Sequence, residues 1–324
     1  MSAGKNKFEL GDAVFQAFKL PGGLSFLVRL IISMSILLGI LWAVFAGPIV
    51  SAYVEFFNFV IELEEAGREP SPWEIIGPML SLMGIFSILG FVSWFIMASA
   101  ETALHKNKLH GVDLGIFPLR FGMAEIRVMI AQLVVGLVIT GIVVVGYGLT
   151  ALLVVAAIAG GQVNGALGFL GGLLAFLVIM GMIVALVLAS VRLAPTAALS
   201  VRDNELKTLQ GWHVSKGRFW PMLGSFFIIM IITSIVQQTI MTGGMMALMP
   251  MIGDLESLAS VDSDDPAVVW EIIKTAFLQP SVLIPLVIVM IIYIIGQMLS
   301  YCAIWGVSSY VAGLDDDTMP EIFD

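Results

Sequence analysis

Six stretches of this chain are apolar almost without interruption: Leu24–Gly47, Ile75–Ala100, Val128–Ala159, Leu167–Val191, Phe219–Met249 and Pro280–Val311. Each is at least as long as the about 20 residues that a helix needs to cross a bilayer. Inside hydrocarbon the backbone has no water to bond, so a spanning segment is either a helix or part of a closed barrel. The short alternating segments of a barrel are absent here. The whole sequence is 59% hydrophobic and only 12% charged, which excludes an ordinary soluble domain. The chain therefore reads as an all-α integral membrane protein with six transmembrane helices, and residues 1–324 as a single polytopic membrane domain. No small-residue cleavage site follows a short core at the first stretch, so it reads as a retained span.

The basic residues set the orientation. Lys5, Lys7, Lys19 and Arg29 flank the first span; Lys106, Lys108, Arg120 and Arg127 lie between spans two and three; Arg192, Arg202, Lys207, Lys216 and Arg218 lie between spans four and five. The alternate connections hold only Arg68 and Lys274, a split of 13 against 2. Basic loops stay on the cytoplasmic side, so both termini are expected there. The opposite loops are acidic, as in "ELEEAGREPSPWE" and "GDLESLASVDSDDPAVVWE". Asp262, Asp264 and Asp265 lack the glycine and terminal glutamate of a calcium loop, and they read as wet loop charges.

The three basic stretches resemble one another. They read "FELGDAVFQAFKLPGGLSFLVRL", "VDLGIFPLRFGMAEIRVMI" and "NELKTLQGWHVSKGRFWPML", and each opens on an acid followed by leucine: Glu9-Leu10, Asp113-Leu114, Glu205-Leu206. The leucines are 104 and then 92 residues apart, and two spans follow each. Apolar residues at helical spacing (Leu10, Val14 and Ala17; Leu114, Phe117 and Phe121; Leu206 and Leu209) predict short helices lying in the headgroup layer. The expected plan is three repeated units, each an interfacial helix plus a transmembrane hairpin. The predicted helices fall in Lys7–Leu20, Gly111–Gly122 and Asn204–Gly217.

The stretch "RLAPTAALSVRDNELKTLQGWHVSKGRFWPMLG" resembles the signature region of bacterial YciC-like inner-membrane proteins and of the membrane domain beside some glycerophosphodiesterases. The matching residues are Arg192, Pro195, Gly211-Trp212, Ser215-Lys216-Gly217, Phe219-Trp220 and Gly224. The resemblance implies a multi-pass protein of the bacterial cell inner membrane. It brings no catalytic residues, and this chain carries no phosphodiesterase domain.

Signs of chemistry are sparse. Charged side chains in a bilayer are costly and commonly functional, yet none lies near the middle of a span. Arg29, Glu101, Glu125, Arg127 and Arg192 sit near span ends, where they are expected to reach the headgroups. Gln132, Gln237, Gln238 and Gln297 read either as interhelical hydrogen-bonding groups or as the lining of a polar cavity. Gly168 and Gly172 have the small-residue spacing that packs two helices, whereas Gly161 and Gly165 fall at a loop. Gly243-Gly244 and Pro285 are positions where spans five and six can bend. The 19 methionines lie mostly in apolar runs and read as packing. His105 and His110 lack a ligand pairing, Cys302 is alone, and no nucleophile elbow or phosphate loop occurs. No catalytic residue, metal site or cofactor is expected.

These readings point to a non-enzymatic role in membrane organisation or envelope and lipid homeostasis. The alternative is a transporter or channel for a lipid or small neutral solute. The expected partners are membrane lipids and not nucleic acid, with a membrane-protein partner or homo-oligomer left open. Lys106, Lys108, Lys207, Lys216 and Arg218 are the candidates for lipid-headgroup contact. Trp212 and Trp220 are the candidate interfacial anchors, since indole favours the polar–apolar boundary. In a Cys302→Ser background, a cysteine introduced at Glu62 is expected to react with an impermeant thiol reagent in intact cells. One at Asp316 is expected to react only after permeabilisation, and labelling of Asp316→Cys from outside would reverse the orientation.

Overall fold

A computed structural model describes residues 8–67, 71–258 and 280–315, and among them the structure is all helical, with no strand. In chain order the helices are α1 (Leu10–Val14), α2 (Gly23–Ala66), α3 (Pro72–His110), α4 (Met123–Val163), α5 (Gly165–Leu193), α6 (Thr196–Arg202), α7 (Gly211–Val214), α8 (Phe219–Leu258) and α9 (Pro280–Asp315). A 3-10 turn over Gln16–Lys19 follows α1. Six of these helices are long and apolar enough to cross a membrane, and each contains one of the six expected stretches. The loop aspartates 262, 264 and 265, Arg68 and Lys274 lie outside the described residues.

The helices are longer than the apolar runs that announce them. α4 has 41 residues, which is about 60 Å of helix against about 30 Å of hydrocarbon. The excess follows from sequence. Glu, Leu and Ala beyond the first apolar run are good helix formers, so α2 continues to Ala66. At the start of α3, the Ser71 backbone N–H donates to Glu74 Oε2 at 2.9 Å, and Pro72 sits where its missing N–H does no harm.

By packing, the chain divides into two compact units, Met1–Ser225 with Trp305–Asp324, and Phe226–Ile304. In the first unit the core lies where the helices carry their basic residues. Phe26, Leu27, Leu30 and Met34 of α2, Ala98 to Leu104 of α3, Val128 and Ala131 of α4, Leu199 of α6, and Val307 and Val311 of α9 are buried. Along the apolar lengths, only 6% to 33% of the most hydrophobic window of each of these six long helices is covered by protein. Those flanks leave their Ile, Val, Leu and Phe side chains open: Leu152 is 69% and Phe169 75% exposed. In the second unit, Gly244 of α8 lies against α9, where an added Cβ would stand 2.7 Å from Val289 Cγ1. Both helices run on through Gly243-Gly244 and Pro285.

The predicted surface helices are corrected in part. The first forms as α1 and its 3-10 turn, but the apolar face packs on protein: Val14 and Ala17 are buried, and a Cβ on Gly306 of α9 would be 2.9 Å from the Ala17 nitrogen. The second, Gly111–Gly122, is not helical. Pro118 cannot donate to a helix, Gly115 sits at φ 78°, and Asp113 Oδ1 accepts the Gly115 N–H at 3.0 Å, which is turn chemistry. The third is reduced to the single turn α7, with Leu206 and Leu209 exposed beside it. An interfacial helix therefore does not recur in all three places.

The loop expected around Gly161 and Gly165, between the third and fourth apolar stretches, is a single residue. Asn164 alone separates α4 from α5, its side chain accepting the Ala166 N–H at 2.9 Å as an N-cap. With the helix carried through Gly161, the close packing falls on Gly161, Gly168 and Gly171, and Gly172 has no part in it. A Cβ on Gly168 would stand 2.8 Å from Gly161 Cα, and one on Gly171 2.7 Å from Ala157 Cβ. A Cβ on Gly172 meets nothing within 4 Å. Gly168→Ala is expected to destabilise the protein in detergent unfolding by about 1–3 kcal/mol through overpacking. Gly172→Ala is expected to be neutral or stabilising by up to about 1 kcal/mol, the helix-propensity gain of alanine.

Candidate functional site

Glu101 and His105 stand one turn apart on α3, so both project from one helix face. Both are buried, as is Ser309 of α9. His105 Nε2 lies 3.2 Å from Glu101 Oε1, and His105 Nδ1 lies 2.6 Å from Ser309 Oγ. The second oxygen of Glu101 accepts a hydrogen bond from Gln132 Nε2 of α4. The Gln132 carbonyl oxygen in turn accepts from Trp94 Nε1 at 2.5 Å. An ionised carboxylate only accepts, so Nε2 carries the histidine proton in the neutral ring, and Nδ1 accepts from the Ser309 hydroxyl. Each polar atom that the relay uses then has a partner, which is the condition for burying such groups.

The relay contains a serine, a histidine and an acid, the residue types of a hydrolase triad. Its geometry differs in function-relevant ways. Ser309 and His105 are fully enclosed at 0% exposure, so no substrate reaches the hydroxyl in this conformation. What the arrangement does is join three helices: α3, α4 and α9 are linked through one carboxylate. Glu101 thus bonds within the protein instead of extending to headgroups.

A second buried acid is held by charge. Glu125 at the start of α4 is 2% exposed, and Lys106 Nζ of α3 donates to its Oε1 at 2.8 Å. Other basic residues staple the connections. Arg29 of α2 donates to the Gly115 carbonyl at 2.6 Å and pairs with Asp113 at 3.3 Å, holding 111–122 in place. Arg127 donates to Asn204 Oδ1. Arg202 pairs with Asp203 at 2.6 Å and donates to the Ala312 carbonyl at 2.8 Å. Lys207 pairs with Glu205 at 3.0 Å, and Lys19 pairs with Asp12.

The five lysines and arginines named as headgroup candidates therefore occupy different settings. Lys106 and Lys207 are engaged in ion pairs. Lys108 is half-buried, and Lys216 is exposed with no ion pair among the described residues. Arg218 is half-buried, and its backbone caps the turn before α8 by donating to the Ser215 carbonyl at 3.0 Å. Trp220 is 76% exposed and Trp212 37%. Gly217 between them has φ 79°, the left-handed turn that redirects the chain into α8.

Of the four glutamines, Gln132 belongs to the first unit and Gln237, Gln238 and Gln297 to the second. Gln132 is spent on the relay in the first unit. In the second unit Gln237 donates to Gln297, and Gln238 is exposed. Two described clefts, between α4 and α5 around Gly141, Gly146 and Met182, and between α8 and α9 around Gly244 and Val289, are lined by apolar residues and none of these glutamines. Among the described residues there is no group of three His, Cys, Asp or Glu placed to hold a metal. From sequence, Glu101 is expected to reach headgroups and His105 to lack a pairing; their spacing of four is the signal that could have joined them. Nothing in the sequence points to Ser309, which lies 204 positions from His105. Compared with known protein families, curated proteins and solved structures, the chain matches none.

Lys106→Met is expected to cost about 3 kcal/mol of stability in detergent, because it leaves the Glu125 carboxylate buried and unpaired. Lys106→Met with Glu125→Leu is expected to recover most of that loss. Lys108→Met on the same helix is expected to change stability by less than about 0.5 kcal/mol. Equal costs for the two single lysine variants would remove the pairing account.

Proposed function

We propose that this chain is a non-enzymatic multi-pass protein of the bacterial inner membrane, with both termini cytoplasmic. Its role on this reading lies in membrane organisation or envelope and lipid homeostasis. The carrying observation is the contrast between its two surfaces. The long apolar flanks are bare of protein and suit lipid, while the basic helix ends hold a closed polar core with Trp212, Trp220 and Lys216 left at the surface. Such a body presents indole and ammonium groups at the depth where lipid phosphates lie. The resemblance over Arg192–Gly224 to YciC-like inner-membrane proteins supports the same placement.

The transport alternative draws little support from the glutamines, since Gln132, Gln237 and Gln297 are hydrogen-bonded to protein groups and Gln238 is exposed. The enclosed serine likewise favours a scaffold over a hydrolase. A strain lacking the gene is expected to show an altered proportion of anionic phospholipid or raised envelope permeability, restored by the wild-type chain. Restoration is expected from Ser309→Ala as well, at a reduced protein level. An unchanged lipid profile and unchanged permeability would contradict the role. Loss of complementation by Ser309→Ala at a normal protein level would turn the reading towards catalysis.

A further inference from the structure

Arg192 stands apart from Arg29, Arg127 and Arg202. It lies in the last turn of α5, half-buried, with its guanidinium carbon 4.8 Å from the centroid of the Trp212 ring. Among the described residues its buried Nε has no acceptor and no carboxylate pairs with the group. A guanidinium presents donors along its edge in a planar fork, and Trp212 covers a face and leaves that edge. Donors left unmet at this burial are costly, so the position calls for an acceptor that the described residues do not supply.

The surroundings fix the backbone from which this cation extends. Gly211 allows α7 to seat against the α5–α6 junction: an added Cβ would stand 2.5 Å from Thr196 Oγ1 and 3.1 Å from the Arg192 carbonyl oxygen. Ser215 Oγ donates to that same carbonyl at 3.2 Å. Thr196 is 1% exposed, and its Oγ1 also has no partner among the described residues. The next residue after Ser215 is Lys216, exposed and unpaired among the described residues. A cation and an indole are thus brought together by contacts that leave the charge unneutralised, and a second, exposed cation follows Ser215 in the chain.

We propose that Arg192, faced by Trp212 and flanked by Lys216, binds the phosphate of an anionic phospholipid headgroup. The guanidinium fork matches two phosphate oxygens, and the ammonium adds a mobile second charge. The half-exposed indole sets the depth, since its ring favours the polar–apolar boundary. This site rests on the proposed membrane placement and gives it a ligand class.

The test uses the full chain in nanodiscs of phosphatidylcholine and phosphatidylglycerol, with one lipid or the other brominated on its acyl chains. The fluorescence quenched in wild type but not in Trp212→Phe isolates the contribution of Trp212. Brominated phosphatidylglycerol is expected to quench it about fivefold more effectively than brominated phosphatidylcholine, the factor for one charge at the surface. Arg192→Gln is expected to equalise the two lipids, and Arg192→Lys to retain part of the preference. Equal quenching by both lipids in the wild-type protein overturns the proposal without recourse to any variant at Arg192. Inorganic phosphate in excess is expected to leave the preference intact; its loss would assign the site to free phosphate and not to lipid. An altered lipid profile in the deletion strain without this preference would remove the site and keep the proposed function. The preference with an unaltered profile would do the reverse.

Discussion

The buried carboxylate of Glu101 is the constraint on which the first unit depends. A carboxylate at 5% exposure is tolerable only if its lone pairs are met. His105 meets one oxygen from the same helix, Gln132 meets the other from α4, and Ser309 of α9 completes the histidine. Sliding α4 or rotating α9 by a fraction of a turn would leave a charge or an imidazole nitrogen orphaned. Apolar contacts give no comparable specificity between helices in lipid, where hydrocarbon tails are as apolar as the side chains they replace. The sparse protein cover along the apolar flanks and the dense core at the basic ends are consistent with that division of labour.

The same physics explains the basic residues. A positive residue near a span end can serve orientation, pairing or ligand contact, and sequence does not separate these. The structure divides them by partner: Arg29 and Arg202 hold backbone carbonyls, Lys106 compensates Glu125, and among the described residues Arg192 holds only an aromatic face. Backbone carbonyls at loops and at the end of α9 would otherwise lack donors. Stapling them with arginine makes the connections part of the core.

The six helices were legible because a run of about 20 apolar residues has one main physical meaning. Their true ends were not, since glutamate and alanine outside the apolar run extend a helix without changing hydropathy, as in α2 up to Ala66. The short helices were legible only in part. A spacing such as Leu114, Phe117 and Phe121 fits a helix, but Pro118 and the Asp113 turn prevail over it. In the α4–α5 hairpin, spacing singled out Gly168 and Gly172, whereas the facing positions are Gly161, Gly168 and Gly171, because a one-residue connection through Asn164 sets the register. The polar relay was missed at Glu101 and His105, an acid expected to reach headgroups and a histidine without a pairing, although their spacing sets them on one face; Gln132 stands out in an apolar run. Ser309 did not, because a serine in a spanning helix usually bonds its own backbone and gives no sign of a distant partner.

The relay is claimed to act as one unit, and a double-mutant cycle between its remote members tests that most directly. Gln132 and Ser309 have no hydrogen bond with each other and are connected through Glu101 and His105. Unfolding free energies in detergent for Gln132→Ala, Ser309→Ala and the double variant are expected to be non-additive by about 1 kcal/mol. Additivity within about 0.3 kcal/mol would contradict the account and reduce the relay to separate local hydrogen bonds.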